Sequence, residues 1–204
     1  LVTAPDHLGA EIGQAAMHWR FGLNIAQRMD AIMCQLQMAH GMVGVVVRQR
    51  LDRCVEEIGA FGRAVNHILY RDGLPARFAS LVYLVLTADS GHVRLLNAGH
   101  MPPFVVRGGR VAPLGIGSMV LGIMPDATFS EQQVDLNAGD TLLVYSDGVT
   151  EAMNDVDDFF GDDRLLAAVQ QTAGLPVGEI GSHILNAVSA FIEDAVPNDD
   201  VSLI

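Results

Sequence analysis

Apolar positions along this chain follow two rhythms, which divide it into strands and helices. Dense aliphatic runs predict strands at Ala31 to Leu36, Phe78 to Thr87 and Val93 to Asn97. The turn Asp89-Ser90-Gly91 joins the last two as a hairpin. Phe104 to Val106 and Arg110 to Ala112, separated by Gly108-Gly109, predict a second hairpin. Glu131 to Leu136 alternates, with Gln133 and Asp135 outward and Val134 and Leu136 inward, and Asn137-Ala138-Gly139-Asp140 turns it into Thr141 to Tyr145. Helical spacing of three to four residues appears at Leu51 to Leu69, Asp162 to Thr172 and Val177 to Asp194. Val43 to Val47 stays ambiguous: its β-branched residues favour a strand, yet it could open the first long helix. Hairpins plus a few long helices, without strict alternation, indicate an α+β fold of antiparallel sheet packed on helices.

With 204 residues, half of them apolar, the chain can bury one substantial core, so a single domain over 1–204 is expected. The formal charge is −12, and all 12 basic residues are arginine. That balance argues against nucleic acid and anionic membranes as partners, because phosphate contacts need clustered cations. Cys34 and Cys54 lack CxxC spacing and read as free thiols in a reducing compartment. No run approaches the ~18 apolar residues of a membrane span, and no signal segment opens the chain. A cytoplasmic domain cut from a longer protein is the expectation.

The chemistry concentrates at Tyr145-Ser146-Asp147-Gly148-Val149-Thr150-Glu151-Ala152. Asp147 stands where an apolar strand ends, and Gly148 lets the chain turn behind it. A second acidic pair, Asp199-Asp200, precedes the apolar stretch Val201 to Ile204. Carboxylates at the ends of stiff strands suit magnesium or manganese, which take oxygen ligands.

Together with Asn97-Ala98-Gly99-His100-Met101-Pro102-Pro103, Leu121-Gly122, Phe159-Phe160-Gly161-Asp162-Asp163-Arg164-Leu165 and Asn198-Asp199-Asp200-Val201-Ser202-Leu203, this segment resembles the bacterial branch of the metal-dependent Ser/Thr phosphatases, the SpoIIE/RsbU-type PP2C-like domains. The matching blocks cover most of residues 78–204 in the right order. The resemblance implies a PP2C-like β-sandwich of two antiparallel sheets flanked by helices, with a two-metal site between the sheets. In the first half the family's Gly-Gly-Asp block matches Ala10 to Ala15, so its aspartate has become Ala15. The family's Gly-Asp-x-x-Gly-His-Gly block, which leads into a helix, matches Gln35 to Gly41, with Met42 to Arg48 starting that helix. Its aspartate, which the resemblance implies bridges both ions, has become Leu36.

Leucine offers a cation no lone pair, so the remaining set of Asp147, Asp199 and Asp200, with Gly148 adjacent, is expected to be vestigial or to hold Mg or Mn weakly. No cofactor is then required, no catalytic residue is assigned, and little hydrolysis follows. His100 reads as a loop-fixing residue. Phe159 and Phe160, inside the acidic run Asp155 to Asp163, are candidate anchors for a protein partner. The resemblance implies a signalling output domain in two-component or sigma-factor stress regulation. Its expected features are an upstream receiver or sensor domain, a sigma factor or its regulator as partner, and compatibility with a homodimer. The alternative is an active Mn/Mg-dependent serine phosphatase acting on a phosphorylated anti-sigma-antagonist-type protein, its ligands completed by Glu11 or Asp30.

Overall fold

The computed structural model describes residues 31–38, 41–47, 58–72, 78–87, 89–193, 195 and 199–204; in 31–47 it describes the backbone path alone. Five strands form one antiparallel sheet: β1 (Ala31–Met38), β2 (Gly41–Val47), β3 (Ala79–Thr87), β4 (His92–Ala98) and β7 (Glu131–Asp135), in the order β2-β1-β3-β4-β7. Three more, β5 (Phe104–Arg107), β6 (Arg110–Pro113) and β8 (Thr141–Leu143), form a second sheet in the order β6-β5-β8. The helices are α1 (Ile58–Asp72), a short α2 (Asp147–Thr150), α3 (Gly161–Gln171) and α4 (Val177–Ile192).

Period-two alternation decides which residue meets which layer. Leu84 on β3 and Val93 and Leu95 on β4 pack with Leu114 and Leu142, which fills the space between the two sheets. The opposite side of the large sheet presents Leu81, Tyr83, Val85, Leu96 and Ala98 to α1, whose Ile58, Phe61, Val65 and Leu69 lie on one face at helical spacing. Phe104, Val106 and Leu143 turn away from the sandwich toward Leu165 and Val169 of α3 and Ile180, Ile184 and Val188 of α4. Helix, sheet, sheet and helix therefore stack in four layers. Both faces of β3 are covered, which is why it reads as an unbroken apolar run.

The expected strands and helices sit where the apolar rhythm places them, with one correction. Met42 to Arg48 does not begin a helix: Gly41–Val47 is β2, paired with β1 from Met38↔Gly41 to Ile32↔Val47. Four valines and two glycines in seven residues lose too much side-chain or backbone freedom in a helix, whereas a paired strand suits the valines. The expected helix from Leu51 is described only from Ile58.

An arginine–glutamate ion pair ties β7 to β4 across the large sheet, beside the His92–Asp135 contact at 2.6 Å. Arg94 Nε donates to Glu131 Oε1 at 2.8 Å and Arg94 Nη2 to Oε2 at 2.6 Å, a bidentate fork. The guanidinium bond holds the Glu131 carboxyl below its ordinary range, against the opposing effect of partial burial. A carboxylate depressed in the folded state stabilises the fold above its unfolded pKa of about 4.3 and loses that contribution as pH falls through the folded value. Glu131→Gln should therefore cost about 1 kcal/mol at pH 7. In urea titrations at pH 7 and at successively lower pH, the gap to wild type should begin to narrow below about pH 4.3 and go on narrowing as pH falls further.

Candidate functional site

The acidic corner is built by the chain that leaves β8. Val144 N–H donates to Ile204 O and Ile204 N–H to Val144 O, both at 2.9 Å, and Tyr145 bridges Leu203. Ser146 is fully buried and closes the seam: its Oγ donates to Asp200 O at 3.0 Å and accepts from Ser202 N–H at 2.9 Å. One hydroxyl thus satisfies two groups of the C-terminal segment while presenting the next residue, Asp147, at the turn into α2.

Asp147 is held by that turn. Its Oδ1 accepts the Gly148 N–H at 3.0 Å, and its carbonyl accepts Thr150 Oγ1 at 3.1 Å and the Glu151 N–H at 2.8 Å. Val149, fully buried, pins the turn to the core. Gly148 is required by a neighbour and not by its own backbone angle. A Cβ there would lie 2.4 Å from Asp200 O and 3.5 Å from the Asp199 carbonyl carbon. That close approach brings the two acidic segments, far apart in sequence, to one corner. Asp199 and Asp200 are exposed, and Asp199 Oδ1 accepts the Asp200 N–H at 2.7 Å.

The loop carrying His100 is fixed by Asn97, buried at the end of β4. Asn97 Oδ1 accepts the His100 N–H at 2.9 Å, and Asn97 Nδ2 donates to His100 O at 3.0 Å. His100 Nδ1 lies 3.3 Å from Met101 O, while Nε2 is buried with no hydrogen-bond partner. Burial pushes the imidazole below its usual pKa, only partly offset by the Met101 bond and the charge of Asp147. The ring is therefore neutral near pH 7. Tyr145, behind the corner, is pushed up to about 12 by burial first and by the charge of Asp162 second, so its phenol stays protonated.

The aromatic pair after the acidic loop divides. Phe160 is 3% exposed and packs edge-on against Phe191 at 5.5 Å, so it belongs to the core and not to an exposed anchor. Phe159 is 53% exposed. It closes a tight loop by bridging Met153, and within that loop Asn154 Oδ1 accepts the N–H groups of Val156 (3.2 Å) and Asp158 (2.9 Å). Ala15, Glu11 and Asp30 lie outside the described residues. Leu36 lies in β1, opposite Val43 of β2 and Leu81 of β3.

The donors present suit a hard cation in kind: carboxylate oxygens at Asp147 and Asp199-Asp200. They do not close a coordination sphere. Among the described residues, no three His, Cys, Asp or Glu side chains stand together as a metal site. Water or a phosphate oxygen would fill the remaining positions.

A family model described as Stage II sporulation protein E (SpoIIE) matches residues 35–204. The chain belongs to the SpoIIE family. It is a PP2C-like phosphatase domain, and its two antiparallel sheets flanked by helices are that fold. Leu36 falls inside the matched span and Ala15 outside it. Protein IcfG of Synechocystis is 28% identical over 151 residues, covering 74% of this chain and 24% of the relative. Stage II sporulation protein E of Priestia megaterium is 25% identical over 114 residues, covering 56% and 19%. The chain thus spans a quarter or less of these relatives. Among solved structures, the SiaA-PP2C domain of Pseudomonas aeruginosa superposes with a TM-score of 0.59 at 17% identity, covering 72% of this chain and 57% of that one. The SpoIIE phosphatase domain of Bacillus subtilis gives 0.57 at 17%, covering 87% and 92%. These likenesses establish the fold.

Sequence reading pointed to the two acidic segments but missed the residue that joins them. Ser146 carries no signal of its own in the sequence, because its partners lie 54 and 56 residues away. Asn97 was legible only as part of a block. Asn66 went unremarked: it is buried on α1, donates to Met124 O at 2.8 Å and accepts from Gly122 N–H at 2.8 Å, fixing the connection that precedes β7.

Proposed function

We propose that this SpoIIE-family domain is a signalling output module that binds a protein partner and hydrolyses phosphoserine weakly or not at all. The observation that carries the reading is the place of Leu36. The residue matched to the family's bridging aspartate sits inside β1, its register neighbours Val43 and Leu81 aliphatic on both sides. A leucine brings a hard cation no oxygen, and a site left with Asp147 and Asp199-Asp200 holds Mg or Mn weakly.

The surface for a partner is supplied by the loop from Met153 to Phe159. Exposed Phe159 and Val156 stand among Asp155, Asp157 and Asp158, an apolar contact ringed by negative charge. Such a tip suits a basic, partly apolar surface on the partner. By family resemblance that partner is a sigma factor or one of its regulators, met in the cytoplasm under the control of an upstream receiver or sensor domain. Among the described residues no helix is long and apolar enough to cross a membrane.

The corner that keeps Asp147 beside Asp199-Asp200 favours the competing reading, a Mn- or Mg-dependent phosphatase for a phosphorylated anti-sigma-antagonist-type protein. One assay separates the two. With p-nitrophenyl phosphate and excess Mn, the wild-type chain should show no turnover above that of Asp147→Asn. Metal-dependent turnover that Asp147→Asn abolishes would establish the phosphatase instead.

A further inference from the structure

We propose that the cleft at the connection between β6 and β7 is a second docking surface, built for a protein segment that presents apolar side chains around an arginine or lysine. Six of the 12 large apolar side chains exposed among the described residues lie on this connection and on α1: Ile116, Met119, Ile123, Met124, Ile68 and Tyr70. Ile116 is 94% exposed. Exposed apolar residues scattered singly need no explanation, whereas a concentration on one surface marks a contact. Ile116, Met119 and Met124 line a cleft of about 470 Å³, and Ile68 lines an adjoining one of about 610 Å³; Asp126, Ala127 and Thr128 are the wall common to both. The surface is also preset. Asn66 of α1 is buried, donates to Met124 O at 2.8 Å and Pro125 O at 3.3 Å, and accepts the Gly122 N–H at 2.8 Å. An apolar strap fixed to α1 in this way loses little freedom when a partner lands on it.

The chemistry of the occupant follows from what the first cleft offers. From Val111 to Pro125 the chain carries no charged residue. Among the described residues lining the cleft, Asp126 alone is charged, and its carboxylate makes no hydrogen bond or ion pair with a described residue. Gln132 adds a second acceptor: its Nε2 donates to Gly115 O at 3.0 Å and Ile116 O at 3.1 Å, which spends both N–H groups and leaves Oε1. A carboxylate and an amide oxygen among two methionines and an isoleucine suit a cationic N–H donor on an apolar stem, as arginine and lysine are. The net charge of −12 draws such a segment in. The same charge argues against a second copy of this chain, because two copies repel and a two-fold contact through the cleft would bring the two Asp126 carboxylates together. This surface belongs to other elements than the loop at Phe159, and it stands whether or not that loop meets a partner.

Methyl resonances of the full chain, labelled with 13C at methionine and isoleucine, read the site directly. The probe is a short peptide of leucine, alanine and arginine added to ~1 mM, where weak contacts fill; its counterpart carries glutamate in place of arginine. The expected result is a saturating shift of the Ile116, Met119 and Met124 methyls with the arginine peptide and none with the glutamate peptide. Asp126→Asn should weaken binding ~2- to 5-fold, as loss of an exposed ion pair does. Met119→Ser combined with Met124→Ser should weaken it ~10-fold or more. Asp126 is exposed, so its variant keeps the test decisive should the methionine pair fold poorly. Unmoved methyls, equal shifts with both peptides, or arginine-peptide binding untouched by Asp126→Asn overturns the proposal. So does a dimer in sedimentation that the methionine substitutions dissolve, since a second copy would then fill the cleft.

Discussion

Phe160→Ala should destabilise the domain by about 3–5 kcal/mol, the range for truncating a buried aromatic. Phe160 is 3% exposed and sits in the core with α3 and α4, edge-on to Phe191, whose ring also carries the Arg164 guanidinium 4.6 Å from its centre. Arg164 Nη1 also donates to Phe159 O and Phe160 O, so losing the ring loosens the start of α3 as well as the cavity itself. Phe159→Ala, one residue earlier, should leave stability within about 0.5 kcal/mol of wild type. Urea unfolding of the two variants measures the contrast directly. Comparable losses at both positions would mean that Phe159 is packed and that the loop Met153 to Phe159 is not available to a partner.

Gly148→Ala should cost up to about 3 kcal/mol, as overpacking does, and should act mainly on the corner. The added methyl would meet Asp200 O at 2.4 Å and its carbonyl carbon at 2.9 Å. Both are backbone atoms, so relief requires moving the C-terminal segment and breaking the Ser146 bridge. Amide exchange should report this locally. The Ser202 and Ile204 amides, bonded to Ser146 Oγ and Val144 O, should exchange faster while the β3 and β4 amides stay protected. Gly178→Ala is the control: it lies in α4 with nothing within 4 Å of an added Cβ, and should stabilise the helix by about 0.5–1 kcal/mol.

The layers of the fold are legible in the sequence because alternation fixes faces. Leu81, Tyr83 and Val85 must point one way and Leu84 the other, and α1 repeats Ile58, Phe61, Val65 and Leu69 at the spacing that meets them. Val43 to Val47 was not decidable alone, since only pairing with β1 settles a valine-rich segment as strand. The acidic corner was legible as two motifs, yet their meeting depends on a hydroxyl and a missing Cβ, features no spacing reveals. Phe159 and Phe160 look equivalent in sequence; the packing of Phe191, a helix away, separates them. His100 reads as a loop residue, and Asn97, three residues before it, holds both of its backbone groups.

Without residues 199–204 the edge of β8 and the Asp147 turn would lose their partners on that side. Val144 would have no Ile204 to pair with, and the Ser146 hydroxyl neither Asp200 O nor the Ser202 N–H, however complete both sheets are.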